Sequence, residues 1–162
     1  MLRGRDGAAL GARLAAWEAG EREAGASQAV ALTGRIAFVF SGNGAQHAGM
    51  GRQLYQHAPA FRAAIDECAL ALDPVLSYPL RDVLWGDAHG VLAHTRYTQP
   101  AMFALGYGLA RQLGSWGVRP DAVMGHSVGE FAAATCAGAL TVVDALAMIA
   151  ERGRLMGELP AG

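Results

Sequence analysis

Residues 121–130 read DAVMGHSVGE, and this stretch decides the fold. An apolar run leads into the pentapeptide Gly-His-Ser-Val-Gly at 125–129, and a helix-forming segment continues to Ala137. A strand, a sharp turn that carries a serine and then a helix form the context in which Gly-x-Ser-x-Gly acts as a nucleophile elbow. We therefore predict that Ser127 is a nucleophile, with the backbone N–H of Val128 placed to stabilise an oxyanion. The alternative is an ordinary glycine-rich turn.

A second strand is predicted at residues 35–40, which read RIAFVF and suit a buried strand of a parallel sheet. The glycine-rich loop at residues 42–46 follows it directly. Ligands of parallel sheets bind beyond the carboxyl ends of the strands, so this loop and Ser127 should lie at the same sheet edge. The N–H groups of Asn43 and Val128 would then form an oxyanion hole. A plain strand-to-helix turn is the alternative for the loop.

Helical patterns cover most of the remaining chain. An Ala-rich amphipathic segment occupies residues 8–24. Further helices are predicted at residues 51–57, 59–72, 99–116, 130–137 and 142–155. Residues 73–98 are turn-rich and show no defined element. Strands that alternate with helices indicate an α/β fold, although two strands are few for a sheet.

Local signals indicate several helix ends. Pro59 suits a first helical turn, where its missing N–H costs nothing. Gly138 is a C-terminal stop for the helix after the elbow. Thr141 and Asp144 resemble a capping box that opens the last helix.

Composition narrows the class of protein. The 162 residues are 52% hydrophobic and 17% charged, which is typical of a well-buried globular protein. A net charge of −1, without a basic run, argues against a nucleic-acid partner. Cys68 and Cys136 lack metal-ligand spacing and fit a reducing compartment. No apolar run suits a bilayer and no leader pattern is present, so we expect a cytoplasmic protein with no membrane partner.

Two arginines compete for one role. Arg152 lies on the helix after the elbow, and a guanidinium aimed into an acyl pocket would pair bidentately with a carboxylate. Arg154 is an equally good candidate by spacing. A solvated surface arginine is the ordinary alternative for either residue.

Four stretches carry a family resemblance. FVFSGNGAQ at 38–46, YTQPA at 97–101, GHSVGE at 125–130 and ERGR at 151–154 resemble successive motifs of the malonyl-CoA:acyl-carrier-protein acyltransferases. The acyltransferase domains of modular polyketide synthases are the most similar branch. The resemblance implies an α/β-hydrolase-like parallel sheet with flanking helices, incomplete and without the family's ferredoxin-like small subdomain. Residues 35–162 would be the N-terminal part of such a domain, and residues 1–34 a helical linker-like segment.

The family implies a two-step transfer. Ser127 would take the acyl group from acyl-CoA as a serine ester, and the phosphopantetheine thiol of an acyl carrier protein would collect it. The resemblance assigns the oxyanion amides to Asn43 and Val128 and the carboxylate anchor to Arg152 rather than Arg154. Gln99 would line the acyl pocket, and His126 would form part of its wall.

The resemblance also implies partners and a substrate class. No bound cofactor is expected, since acyl-CoA is the substrate. Partners would be the carrier protein and a ketosynthase or the remainder of a synthase. Arg152 favours a carboxylated acyl group such as malonyl or methylmalonyl, and Val128 leans towards malonyl.

Departures from the family pattern limit these expectations. Ser41 and Asn43 stand where the family more often has proline and glutamine, and His47 is a candidate for the active-site rim. The family's catalytic histidine follows the serine at a distance that lies beyond Gly162, so we expect weak activity from this chain alone. The alternatives are an α/β-hydrolase esterase, or an inactive remnant or half of a split protein.

Overall fold

The computed structural model describes residues 5–21, 34–86 and 90–160. The backbone divides into two units, Met1–Gly34 and Arg35–Gly162. In the first unit, helix α1 spans Gly7–Glu18, and the Asp6 side chain caps it by accepting a hydrogen bond from Ala9 N at 2.8 Å. None of its residues is buried. The predicted helix ran to residue 24, but α1 ends at Glu18 and residues 19–21 are not helical; residues 22–24 lie outside the described ones. The functional meaning of the division at residue 34 stays a prediction.

A two-stranded parallel sheet carries the second unit. Strand β1 spans Ala37–Phe40 and strand β2 spans Ala122–Gly125, paired from Ala37 with Ala122 to Phe40 with Gly125. They are the only strands among the residues that the structure describes. Both strands were predicted, with ends that differ by one or two residues.

The described part of this unit also contains six α-helices and a short 3₁₀-helix. The α-helices are α2 (Arg52–His57), α3 (Pro59–Leu72), α4 (Leu80–Trp85), α5 (Thr95–Ser115), α6 (Gly129–Cys136) and α7 (Val142–Gly157). The 3₁₀-helix is Val91–Ala93. Helix α5 packs against α3, α6 and α7, so it is the centre of the core. The largest fully buried apolar side chains include Phe61, Ile65, Phe103, Leu146 and Ile149.

The turn-rich prediction for residues 73–98 was wrong in part. Helix α4 forms there because Leu80, Val83 and Leu84 place one apolar stripe in the core, and Asp73 Oδ1 accepts from Leu80 N at 2.7 Å. Helix α5 begins at Thr95 rather than at residue 99. Pro100 therefore lies in the second turn of α5 rather than in its first, and its missing N–H leaves one backbone carbonyl without its helical partner.

The predicted helix ends are confirmed. Pro59 is the first residue of α3. Gly138 has a φ of +76° directly after α6. Thr141 caps α7, since its Oγ1 accepts from Asp144 N at 3.1 Å. Each of these signals acts within one helical turn, so it can be read without knowing the tertiary structure.

The two faces of the sheet differ. Phe38, Phe40 and Val123 pack against the core. Val39 and Met124, which are paired in register, point to the other face and are 68% and 61% exposed. Parallel sheets are normally covered on both faces, so the described residues leave one face open. Among the described helices, none is both long and apolar enough to cross a membrane.

Candidate active site

Ser127 lies in the turn between β2 and α6, and its backbone is strained. Its φ is +55°, the only positive φ of a non-glycine residue in the described part of the chain. Such a conformation costs about 1–3 kcal/mol and persists where surrounding packing enforces it. A Cβ on Gly125 would lie 2.3 Å from Glu130 N, and one on Gly129 would lie 2.3 Å from Phe40 O. The flanking glycines are therefore required by close backbone approach, as expected of a nucleophile elbow.

The N-terminus of α6 presents an amide beside the serine. Val128 is fully buried and is the N-cap residue of α6, with no side-chain cap. The next two amides already have acceptors within the elbow. Gly129 N donates to His126 O at 3.0 Å, and Glu130 N donates to Ser127 O at 3.1 Å. The Val128 N–H itself has no acceptor among the described residues. The Val128 N–H is therefore available to an acceptor, and its role as an oxyanion donor stays a prediction.

The glycine-rich loop meets the elbow, as predicted from the parallel strands. His126 N donates to Phe40 O at 3.1 Å, which extends the contact beyond the strand ends. A Cβ on Gly42 would lie 2.7 Å from His126 Nδ1 and 2.8 Å from His126 O, so only glycine lets the loop lie this close. Asn43 follows directly and is exposed. Its oxyanion role rests on this position and stays a prediction.

Arg152 reaches the serine. Its Nη2 donates to Ser127 Oγ at 3.2 Å, and its Nη1 donates to Gln99 Oε1. The guanidinium carbon lies 6.0 Å from the centre of the Phe131 ring, within range of a cation–π interaction. A fixed cation beside a nucleophile can hold the anionic end of a substrate while the hydroxyl meets its electrophilic carbon.

Arg154 points elsewhere. It forms ion pairs with Glu151 at 2.7 Å and Glu158 at 2.8 Å on the surface of α7. These hydrogen bonds raise the pKa of the Arg154 guanidinium and lower the pKa of the Glu151 carboxyl. The geometry therefore separates the two arginines that spacing alone left equal, because Arg152 reaches Ser127 and Arg154 does not. The role of Arg152 as a carboxylate anchor stays a prediction.

Gln99 connects Arg152 to the start of α5. Its side chain is fully buried, and Nε2 donates to Thr95 Oγ1 at 2.9 Å and to Met156 Sδ at 3.3 Å. Sequence reasoning identified Gln99 but missed Thr95, Met156 and Phe131. Each of the three lies four residues from a predicted site residue on the same helix or elbow. Residues at that spacing share a helix face, and this signal could have found them.

None of the described histidines binds the serine hydroxyl. His47, His57 and His94 are exposed, and no hydrogen bond joins them to Ser127. His126 directs Nδ1 towards Gly42, and its role as a pocket wall stays a prediction. His89 lies outside the described residues. Within those residues no cluster of three or more metal-ligating side chains occurs.

Known proteins match this chain in both sequence and structure. A family model described as "Acyl transferase domain" matches residues 37–162. Mycoketide-CoA synthase of Mycobacterium tuberculosis is 50% identical over 129 residues, which are 80% of this chain and 3% of that protein. The acyltransferase domain from the second module of the salinomycin polyketide synthase superposes with a TM-score of 0.86 at 45% identity. That match covers 99% of this chain and 38% of the other.

A third relative is more distant. The malonyl CoA-acyl carrier protein transacylase from Clostridium perfringens has a TM-score of 0.71 at 27% identity, over 79% of this chain and 39% of that one. The chain thus spans less than half the length of each of these relatives. The superpositions confirm the fold class, a small parallel sheet with flanking helices. Because the family model runs through both strands, the elbow and Arg152, this chain belongs to the acyl transferase domain family.

Proposed function

We propose that Ser127 accepts an acyl group from acyl-CoA and passes it to the phosphopantetheine thiol of an acyl carrier protein. The hydrogen bond from Arg152 Nη2 to Ser127 Oγ is the observation that carries this proposal. It is supported by the similarity to a malonyl CoA-acyl carrier protein transacylase. The family match does not favour the esterase alternative.

The proposed first step forms a bond between Ser127 Oγ and the thioester carbonyl carbon. The serine proton passes to a base, the C–S bond breaks, and CoA leaves as a thiol after protonation. The N–H groups of Val128 and Asn43 would stabilise the negative oxygen of the tetrahedral intermediate. In the second step the carrier-protein thiol attacks the serine ester by the same route in reverse.

Arg152 would select acyl groups that carry a free carboxylate. In the unliganded site one guanidinium nitrogen contacts Ser127 and the other contacts Gln99. We propose that the malonyl carboxylate replaces Ser127 Oγ on Nη2, while Gln99 continues to hold Nη1. The hydroxyl is then released towards the thioester, and no bound cofactor is needed because the thioester is already activated.

The base is the part of this mechanism that the described residues do not provide. A positioned general base contributes typically about 10²–10⁴-fold. We therefore propose slow acylation by this chain alone, and faster transfer when the remainder of a synthase accompanies it and supplies a histidine.

Intact mass spectrometry after incubation with malonyl-CoA tests the proposal. A slow gain of one malonyl group is expected, and Ser127→Ala should abolish it. Ser77→Ala, which changes an exposed serine in a turn, should acylate like the original chain. Fast acylation would disprove the argument about the base. Hydrolysis of simple esters without transfer to a carrier protein would support the esterase instead.

A further inference from the structure

We propose that Thr95 is a positioning residue that orients the Gln99 amide and, through it, the Arg152 guanidinium. This inference rests on the proposed function, because it concerns how the same site discriminates carboxylated from plain acyl groups. Thr95 is the first residue of α5, one helical turn before Gln99. The hydrogen bonds of its hydroxyl go to Gln99 and Asn43 and not to Ser127, so its effect would pass through the Gln99 and Arg152 side chains.

The orientation of the Gln99 amide is decided by Arg152. A guanidinium has only donors, so it must face the amide oxygen, and Arg152 Nη1 does donate to Gln99 Oε1. Rotating the amide by about 180° would bring its N–H groups to face the guanidinium, so that donor would meet donor. Gln99 is fully buried, so water cannot compensate for such a mismatch.

The two amide hydrogens then need acceptors. Gln99 Nε2 lies 2.9 Å from Thr95 Oγ1 and 3.3 Å from Met156 Sδ. A thioether sulfur is a weak acceptor, so the Thr95 hydroxyl is the strong one of the pair. Without that hydroxyl, a buried N–H would depend on sulfur alone, and the preference for the productive amide orientation would weaken.

Thr95 is itself held in place by the start of α5. His94 caps the helix, and its Nδ1 accepts from Arg96 N at 3.3 Å. Thr98 Oγ1 donates to Leu92 O at 2.6 Å, which fixes the preceding turn. On its other side, Thr95 Oγ1 accepts from Asn43 Nδ2 at 3.5 Å, a long contact with the glycine-rich loop. The Thr95 hydroxyl therefore lies between the Asn43 side chain and the Gln99 amide.

Loss of the Thr95 hydroxyl should affect carboxylated substrates selectively. When Gln99 no longer holds Nη1 in one place, Arg152 loses its alignment with a carboxylate. An acetyl group has no carboxylate, so its transfer should be unchanged. A general weakening of the fold would slow both substrates alike.

Thr95→Val and Thr95→Ser, each compared with the original chain, test the proposal. Valine keeps the shape and removes the hydroxyl, whereas serine keeps the hydroxyl. Thr135→Val is the matched control, because the Thr135 hydroxyl donates within α6 to Phe131 O at 2.8 Å and does not touch Gln99. Thermal melting of each variant reports whether the fold is kept.

Titration with free malonate, followed by the Arg152 Nε–H resonance in NMR, gives a readout that needs no turnover. We expect Thr95→Val to weaken malonate binding by about tenfold, as loss of a hydrogen bond to a buried group does. Thr95→Ser and Thr135→Val should bind like the original chain. The ratio of malonyl to acetyl transfer onto Ser127 should fall by a similar factor in Thr95→Val alone.

The outcomes separate this inference from the proposed function. Unchanged malonate binding in Thr95→Val overturns the inference, and so does an equal loss for malonyl and acetyl. Absence of malonate binding in the original chain also overturns it. If malonate binds with the expected pattern but Ser127 is never acylated, the positioning role stands and the proposed function fails.

Discussion

Arg152 on α7 donates a hydrogen bond to Ser127 at the elbow across 3.2 Å, although 25 residues separate them in the chain. The contact exists because α7 packs back against α5, and α5 in turn packs against the elbow helix α6. Nucleophile and cation are therefore held by three helices of one core. That arrangement is suited to a substrate with an electrophilic carbon at one end and an anion at the other.

Replacement of Arg152 by alanine should reverse the preference for malonyl over acetyl groups. Removing one member of a shielded charge pair weakens binding by several kcal/mol, so malonyl transfer should fall on the order of 10²-fold. Arg154→Ala is the control, since it removes only surface ion pairs with Glu151 and Glu158. Intact mass of the serine ester with each acyl-CoA is the measurement. Equal losses for both acyl groups would contradict the anchor role.

Glycine-to-alanine substitutions at two positions should change the free energy of unfolding in opposite directions. Gly129→Ala places a Cβ 2.3 Å from Phe40 O, so we expect a loss of about 1–3 kcal/mol in the free energy of unfolding. Gly114→Ala lies near the end of α5 with nothing within 4 Å of the added carbon. It should stabilise the fold by about 0.5–1 kcal/mol, because alanine restricts the unfolded chain. Urea unfolding of both variants measures the contrast, and a stable Gly129→Ala chain would show that the elbow can relax.

Backbone strain at Ser127 should appear as a difference between two small side chains. Both Ser127→Ala and Ser127→Gly remove the hydroxyl, but only glycine adopts a φ of +55° without strain. We expect Ser127→Gly to be more stable than Ser127→Ala by about 1 kcal/mol in urea unfolding. Equal stabilities would mean that the packing around the turn, rather than the Cβ, determines its energy.

The exposed apolar face of the sheet should make the chain self-associate and bind hydrophobic dyes. Val39 and Met124 form an adjacent apolar pair on the open face. Val39→Lys and Met124→Lys should reduce binding of a hydrophobic dye and self-association at high concentration, with changes in stability within about 0.5 kcal/mol. Val123→Lys, on the core-facing side of β2, should instead unfold the protein. Unchanged dye binding by Val39→Lys and Met124→Lys would mean that another surface binds the dye.

Burial of Cys68 should make stability fall at high pH. Desolvation raises the pKa of its thiol from 9.0 to about 12, so the folded chain keeps a proton that the unfolded chain releases. This contribution is fully present below pH 9 and is lost between pH 9 and about 12. Urea unfolding across that range should show a smaller decline for Cys68→Val than for the original chain. Native Cys68 should also resist alkylation at pH 8, whereas the denatured chain should react.

Much of the fold could be predicted because its signals are local. The elbow glycines, Pro59, Gly138 and Thr141 each act within a few residues, and both strands stand out as short apolar runs. The segment at residues 73–98 was harder. Its helix α4 is only six residues long, so it shows little periodicity. Pro100 suggests a helix start near residue 99, although α5 begins at Thr95.

The sequence by itself determined the elbow, the loop at the same sheet edge and the acyltransferase resemblance. Tertiary structure decided which side chains meet there. Arg152 and Arg154 lie about 200° apart around a helix, so spacing cannot say which faces the serine until α7 packs on α5. The same packing brings Met156 onto the buried Gln99 amide, whereas Thr95 reaches that amide from one turn earlier in α5. Hydrogen bonds between elements that are far apart in the sequence depend on that packing, and no local sequence pattern predicts it.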